Sequence, residues 1–143
     1  MDLKPENVLL NQEKGVQLCD LTQAEPVTSL LKKRTGTPAF MAPENYMAHR
    51  QKDGYSGVLS DIFSLGVILF LMSFKSVLWT GGADSAPDDR NRTYRRLRDR
   101  GIEFMLEKHQ ASSACDFERL GSLVDLLGGL LAIDSSKRFQ SVE

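Results

Sequence analysis

The chain has 143 residues, a length that suits one domain. It is 41% hydrophobic and 26% charged, ordinary values for a globular protein, and its formal net charge of -1 selects neither nucleic acid nor membrane as a partner. Two cysteines, Cys19 and Cys115, form no metal-ligand spacing and no dense disulfide framework, which points to a reducing intracellular compartment, cytoplasmic or nuclear.

The first residues, Met1-Asp2-Leu3-Lys4-Pro5, hold neither the basic nor the apolar region of a secretory signal. Val8-Leu9-Leu10 and Val16-Gln17-Leu18-Cys19 are short β-prone runs, and the polar stretch between them ends in Gly15, so a hairpin is predicted. From Asp20 to Glu44 no period is sustained and Pro26, Pro38 and Pro43 intervene, which predicts a long functional loop. Val58 to Phe74 is apolar on every side, the pattern of a helix inside a protein; its longest apolar stretch, Ile62 to Phe74, is too short to span a bilayer. Thr80 to Asn91, with Gly81-Gly82 and Pro87, reads as a loop. Thr93 to His109 reads as a polar, Arg-rich helix. After Ser113 and Cys115-Asp116-Phe117-Glu118, leucines from Leu120 to Leu131 recur at helical spacing, weakened by Gly128-Gly129. A loop from Asp134 to Arg138 follows, and there is no internal repeat.

Chemistry enters with Asp2-Leu3-Lys4-Pro5-Glu6-Asn7. Phosphoryl transfer needs a carboxylate near the attacking hydroxyl, a cation near the moving phosphate and an oxygen ligand for Mg2+. Asp2, Lys4 and Asn7 supply those groups on one short loop. The run resembles the catalytic loop of serine/threonine protein kinases, His-Arg-Asp-Leu-Lys-x-x-Asn in pattern form. The resemblance implies that Asp2 orients or deprotonates the substrate hydroxyl, that Lys4 stabilises charge on the γ-phosphate of ATP, and that Asn7 ligates the metal.

Three further strings continue the resemblance in order. Cys19-Asp20-Leu21-Thr22 follows the hairpin where the family carries Asp-Phe-Gly. Asp20 is there the second Mg2+ ligand and Leu21 the apolar plug, while Thr22 departs from the glycine that would ease a switch of the loop. Thr35-Gly36-Thr37-Pro38-Ala39-Phe40-Met41-Ala42-Pro43-Glu44 is similar to the end of the activation segment in the serine/threonine branch. By that likeness Thr37 bonds Asp2 and Lys4, Thr35 is where an activating phosphate is placed, and Glu44 pairs with Arg138. Ser60-Asp61-Ile62-Phe63-Ser64-Leu65-Gly66-Val67 resembles the start of the family's central helix, with Phe63 for Trp and Asp61 accepting bonds from the catalytic-loop backbone. The Glu44 to Asp61 interval looks a few residues longer than is typical of the family, which suggests an insertion around His49 to Gly54.

Together these imply a mainly α fold, the C-terminal lobe of a protein kinase with a small β-hairpin, residues 1–143 forming one partial kinase domain. The cofactors implied are ATP and Mg2+, and the partner a protein carrying Ser or Thr; oligomeric state is not implied. Only Met1 precedes Asp2, and no glycine-rich phosphate loop or β3 Lys is found, so the N-terminal lobe is expected to be absent. The isolated chain is then expected to be inactive and aggregation-prone, leaving two alternatives: a pseudokinase-like binding scaffold, or a truncated gene fragment.

The remaining candidates have plainer readings. The arginines from Arg90 to Arg100 are interleaved with Asp88, Asp89 and Asp99, which favours a solvated helix face, with docking of acidic substrates as the lesser alternative. His49 and His109 read as surface residues, Trp79 as packing, and Cys19 as a small buried hydrophobe.

Overall fold

A computed structural model of the chain describes residues 1–79, 85–109 and 121–140. Gly81-Gly82, Cys115 and the expected helix start from Ser113 to Leu120 lie outside the described residues. The architecture is mainly helical with two small antiparallel ribbons.

Strands β1 (Val8–Asn11) and β2 (Gly15–Leu18) form the hairpin, in register from Val8 opposite Leu18 to Asn11 opposite Gly15. Gly15 turns the chain at φ 69°, a left-handed conformation that a side chain resists. Asn11 closes the turn by accepting from the amides of Glu13 and Lys14 at 2.9 Å each. The long segment after Asp20 is not unpaired throughout, as the sequence suggests: β3 (Leu30–Leu31) pairs with β4 (Tyr55–Ser56). Two residues of ladder inside an aperiodic stretch leave no pattern to read. Gly54 makes the approach possible, because a Cβ there would lie 2.8 Å from the Leu31 carbonyl. The expected insertion at 49–54 is thus a turn that delivers β4 to β3.

Short helix α1 (Pro43–Tyr46) begins on Pro43, whose fixed φ suits a first turn. The central helix α2 (Gly57–Phe74) is capped by Ser56, whose hydroxyl accepts from the Leu59 amide at 3.4 Å. At 18 residues it is longer than the 62–74 stretch, and by length and composition alone it could cross a membrane. Here Ile62, Phe63, Val67, Phe70 and Phe74 are buried in the protein core instead.

Helix α3 (Arg92–Lys108) starts on Asn91, whose side chain accepts from the Thr93 and Tyr94 amides. It is not one continuous helix: Gly101, at φ 82° and ψ -179°, breaks it in the middle. Helix α4 (Gly121–Leu130) packs on α2 and α3. Its glycines permit close approach. A Cβ at Gly129 would fall 2.1 Å from the Phe139 ring, and one at Gly66 of α2 would fall 2.8 Å from Leu130. The core joins Phe63, Phe70, Trp79, Tyr94, Met105, Leu106, Leu127 and Leu131. Trp79 stacks on Phe63 at 6.2 Å and meets Tyr94 edge-on at the same separation.

Two expectations about single residues fail. His109 is not on the surface: it is 3% exposed, with its ring edge-on to Phe70 at 5.0 Å. Burial lowers its pKa, against contributions from the Leu78 and Val77 backbone that raise it. Cys19 is half-buried, not buried: it follows β2, whose residues are all exposed.

Candidate active site

The site forms where the loop before β1 meets the turn that opens the Thr35 to Glu44 run. A short 3-10 turn at Pro5–Asn7 reverses the chain after Lys4, and Pro at its first position suits that geometry. The turn brings Asn7 back under Asp2, so that the Asn7 Nδ2 donates to the Asp2 carbonyl at 2.8 Å. Asn7 is buried and Asp2 only 8% exposed.

Three donors converge on the Asp2 carboxylate. Lys4 Nζ donates to Oδ2 at 2.8 Å, the Thr37 amide to Oδ1 at 2.8 Å, and the Thr37 hydroxyl to Oδ2 at 3.1 Å. Lys4 Nζ also donates to Thr37 Oγ1 at 3.1 Å, which closes the cluster. Gly36 permits this approach. It sits at φ 108°, and a Cβ on it would come within 3.2 Å of Asp2 Oδ1. Burial pushes the Asp2 pKa up, but Lys4 and the two Thr37 donors outweigh it, so the carboxyl is held below its ordinary value. The bond to Asp2 holds the Lys4 pKa above its ordinary value, with further support from the charges of Glu6 and Asp20. Asp2 is therefore ionised and oriented, and Lys4 is a fixed cation beside it.

Asp20 enters from the far end of the hairpin. The Cys19 amide donates to the Asn7 carbonyl at 3.0 Å, tying the strand end to the turn. Asp20 itself is exposed and left-handed, at φ 54°. The Thr22 hydroxyl donates to its Oδ1 at 2.6 Å, so the residue that stands in for glycine holds the carboxylate. Leu21, expected as an apolar plug, is 59% exposed, and no described residue covers it.

Magnesium takes hard oxygen ligands, commonly one or two from protein with the rest from water and phosphate. Asn7, with its NH2 turned onto Asp2, keeps its amide oxygen for such a role, and Asp20 offers a solvent-facing carboxylate. The donor set fits Mg2+ in kind. Among the described residues no three His, Cys, Asp or Glu cluster together, so soft or all-protein metal sites find no match there.

Behind the site stand the residues that hold it. Arg138 is fully enclosed and forks onto Glu44, Nη1 to Oε1 at 2.6 Å and Nη2 to Oε2 at 3.1 Å. Its other N–H groups donate to the carbonyls of Leu59 and Ala132, and its plane lies 5.0 Å above the Phe63 ring. Asp61 accepts from the Met1 nitrogen at 3.1 and 3.4 Å, at the head of the loop that carries Asp2. Burial raises the Asp61 pKa, only partly offset by that amine.

Asn45 escapes a reading of the sequence. Its side chain accepts from the Thr35 amide at 3.0 Å and donates to the Thr35 carbonyl at 2.8 Å, fixing the strand before Thr37. Its place next to Glu44 was the only available signal. Tyr55 is a second such residue. Its hydroxyl donates to the Lys33 carbonyl at 2.9 Å, and burial with the Glu44 charge pushes its pKa to about 12. Thr35 is half-buried, and its hydroxyl donates to the Lys33 carbonyl at 3.2 Å on the exposed side.

A family model described as the protein kinase domain matches residues 1–143. Among curated relatives, CBL-interacting protein kinase 28 of Oryza sativa subsp. japonica is 32% identical over 143 residues, covering 96% of this chain and 28% of its own length. CBL-interacting protein kinase 15 of the same plant is 42% identical over 76 residues, which is 50% of this chain and 17% of the relative. CBL-interacting serine/threonine-protein kinase 8 of Arabidopsis thaliana is 39% identical over 74 residues, 50% of this chain and 16% of the relative. The chain thus spans less than a third of the length of each of these relatives.

Proposed function

The chain belongs to the protein kinase family, and on that premise we propose that it is the C-terminal lobe of an intracellular serine/threonine kinase, the part that holds and activates the acceptor hydroxyl. The observation that carries this reading is the Asp2, Lys4 and Thr37 cluster, an ionised carboxylate flanked by a fixed ammonium. The substrate is a protein bearing Ser or Thr, and the phosphoryl donor is ATP.

Asp2 accepts a hydrogen bond from the incoming hydroxyl and aligns it for attack, taking up the proton as the new bond forms. A carboxylate whose pKa is held low is a weak base, so its first contribution is orientation. Lys4 offsets the negative charge gathering on the transferred phosphoryl group. Thr37 holds both in register through its amide and hydroxyl. Mg2+, when bound, neutralises phosphate charge, and Asn7 and Asp20 are the residues that would hold it. Glu44, Arg138 and Asp61 keep the loop and its neighbours in place.

These 143 residues contain no G-x-G-x-x-G string and no β3-type Lys motif. On their own they turn over substrate negligibly. A second reading, a binding scaffold, draws support from the Thr22 bond, which occupies one oxygen of Asp20. Phosphoryl transfer from labelled ATP to a Ser/Thr peptide by the natural protein separates the two. The kinase reading expects transfer that falls by about 10²–10⁴ in Asp2→Asn. Transfer untouched by Asp2→Asn defeats it, and partner capture without any transfer supports the scaffold.

A further inference from the structure

A cleft of about 510 Å³ opens beside the activation-segment run. Lys32, Lys33, Arg34, Arg50 and Arg90 all line it. Five cations therefore face two carboxylates, Asp88 and Asp89, in a chain whose net charge is -1.

Both carboxylates are engaged. Asp88 accepts from the Arg90 and Asn91 amides at 2.8 and 3.2 Å. Asp89 pairs with Arg98 and reaches Arg50 only at 3.8 Å. Lys32, Lys33 and Arg90 make no ion pair among the described residues. Five cations against two carboxylates leave the lining net positive, and such a cleft is complementary to an anion.

The cleft also adjoins the reaction centre. Arg34 precedes Thr37 by three residues, at most about 11 Å of extended chain, and the Thr37 amide touches the Asp2 carboxylate. A substrate strand whose hydroxyl lies at Asp2 reaches these cations after about three to five residues. A phosphate on Thr35 does not account for the whole set: Thr35 lines an adjoining cavity of about 360 Å³ that Lys32 and Lys33 share, whereas Arg34, Arg50 and Arg90 line the cleft and not that cavity. Nucleic acid fits less well, because Arg34 covers the Tyr46 ring at 4.4 Å and takes the face on which a base would stack.

We propose that this cleft seats an acidic stretch of the protein substrate, with Lys32, Lys33 and Arg90 reading carboxylates about three to five residues from the acceptor hydroxyl. The proposal rests on the kinase reading for the word substrate, but the binding event does not need turnover.

The test uses the natural protein and matched Ser peptides carrying Glu, or Gln in its place, on either side of the acceptor. Binding is followed by fluorescence anisotropy and KM by labelled transfer. The Glu peptide is expected to bind about tenfold more tightly than its Gln twin, and the ratio to shrink towards one at high salt. Within the Lys32→Gln/Lys33→Gln/Arg90→Gln variant the same ratio is expected to fall to near one. A Lys33→Glu/Arg90→Glu variant, which should prefer a Lys peptide, guards against a merely disturbed fold. Equal binding of the two peptides, or a preference that survives the triple variant, overturns the proposal, as does single-stranded RNA that binds more tightly than the Glu peptide. Charge-dependent binding without transfer upholds the cleft and defeats the kinase reading; transfer without charge preference does the reverse.

Discussion

Thr37 contributes two donors to Asp2 and one acceptor to Lys4, so its hydroxyl is the hinge of the site. Thr37→Ala keeps the amide bond to Asp2 and removes both hydroxyl contacts. Loss of hydrogen bonds to charged groups costs about 1.5–3 kcal/mol, and the expected result is a fall of roughly 10–100-fold in kcat. Thr37→Ser, which keeps the hydroxyl, should recover most of it; equal loss in both variants would mean that the methyl packing matters and the bonds do not. The residues of this cluster were legible because each comes from a short string whose chemistry is local. Asn45 was not, because its role depends on where the backbone of Thr35 passes, ten positions earlier.

Glu44 and Arg138 join α1 to the segment after α4 across 94 positions. With Arg138 wholly enclosed, Glu44→Gln leaves a buried guanidinium short of its counter-charge. The expected destabilisation is about 3 kcal/mol, seen as a lower Tm of the natural protein. An unchanged Tm would show that the Leu59 and Ala132 carbonyls suffice. The helices themselves were legible: α2 from its all-round apolarity, α3 and α4 from their patterns. The break of α3 at Gly101 was not, nor the burial of His109, which is polar in sequence and buried in the fold. That burial has a sign. The folded His109 pKa lies below its ordinary value of 6.5, so protonation favours the unfolded chain. Stability is complete above 6.5 and is lost as pH falls from there towards the lower folded pKa. Denaturant melts from about pH 7 to about pH 5 should show this slope, and His109→Gln should flatten it. A slope of the same steepness in the variant assigns it to other groups.

At the scale of the molecule, one end is unlike the rest. Leu9, Leu10, Val16, Leu18 and Leu21 are 48, 86, 67, 47 and 59% exposed on the hairpin and the turn after it. Each large apolar side chain left in water forgoes roughly 1.5–3 kcal/mol, and adjacent ones form a patch that seeks a cover. The 143 residues studied alone should bind a hydrophobic dye strongly and melt irreversibly with aggregation; a reversible, concentration-independent melt would contradict this. The family and the mainly helical character could be read from four ordered strings, whereas the β3–β4 ribbon, too short for a period, could not. Asn7 and Asp20 are expected to serve one magnesium ion beside Asp2. A crystal structure of the natural protein with Mg2+ and a non-hydrolysable ATP analogue tests that most directly. The Asn7 amide oxygen and an Asp20 carboxylate oxygen should both lie about 2.0–2.1 Å from bound Mg2+, with the terminal phosphate close to Asp2 and Lys4. Magnesium held by phosphates and water alone, with Asn7 and Asp20 both turned away, would contradict it.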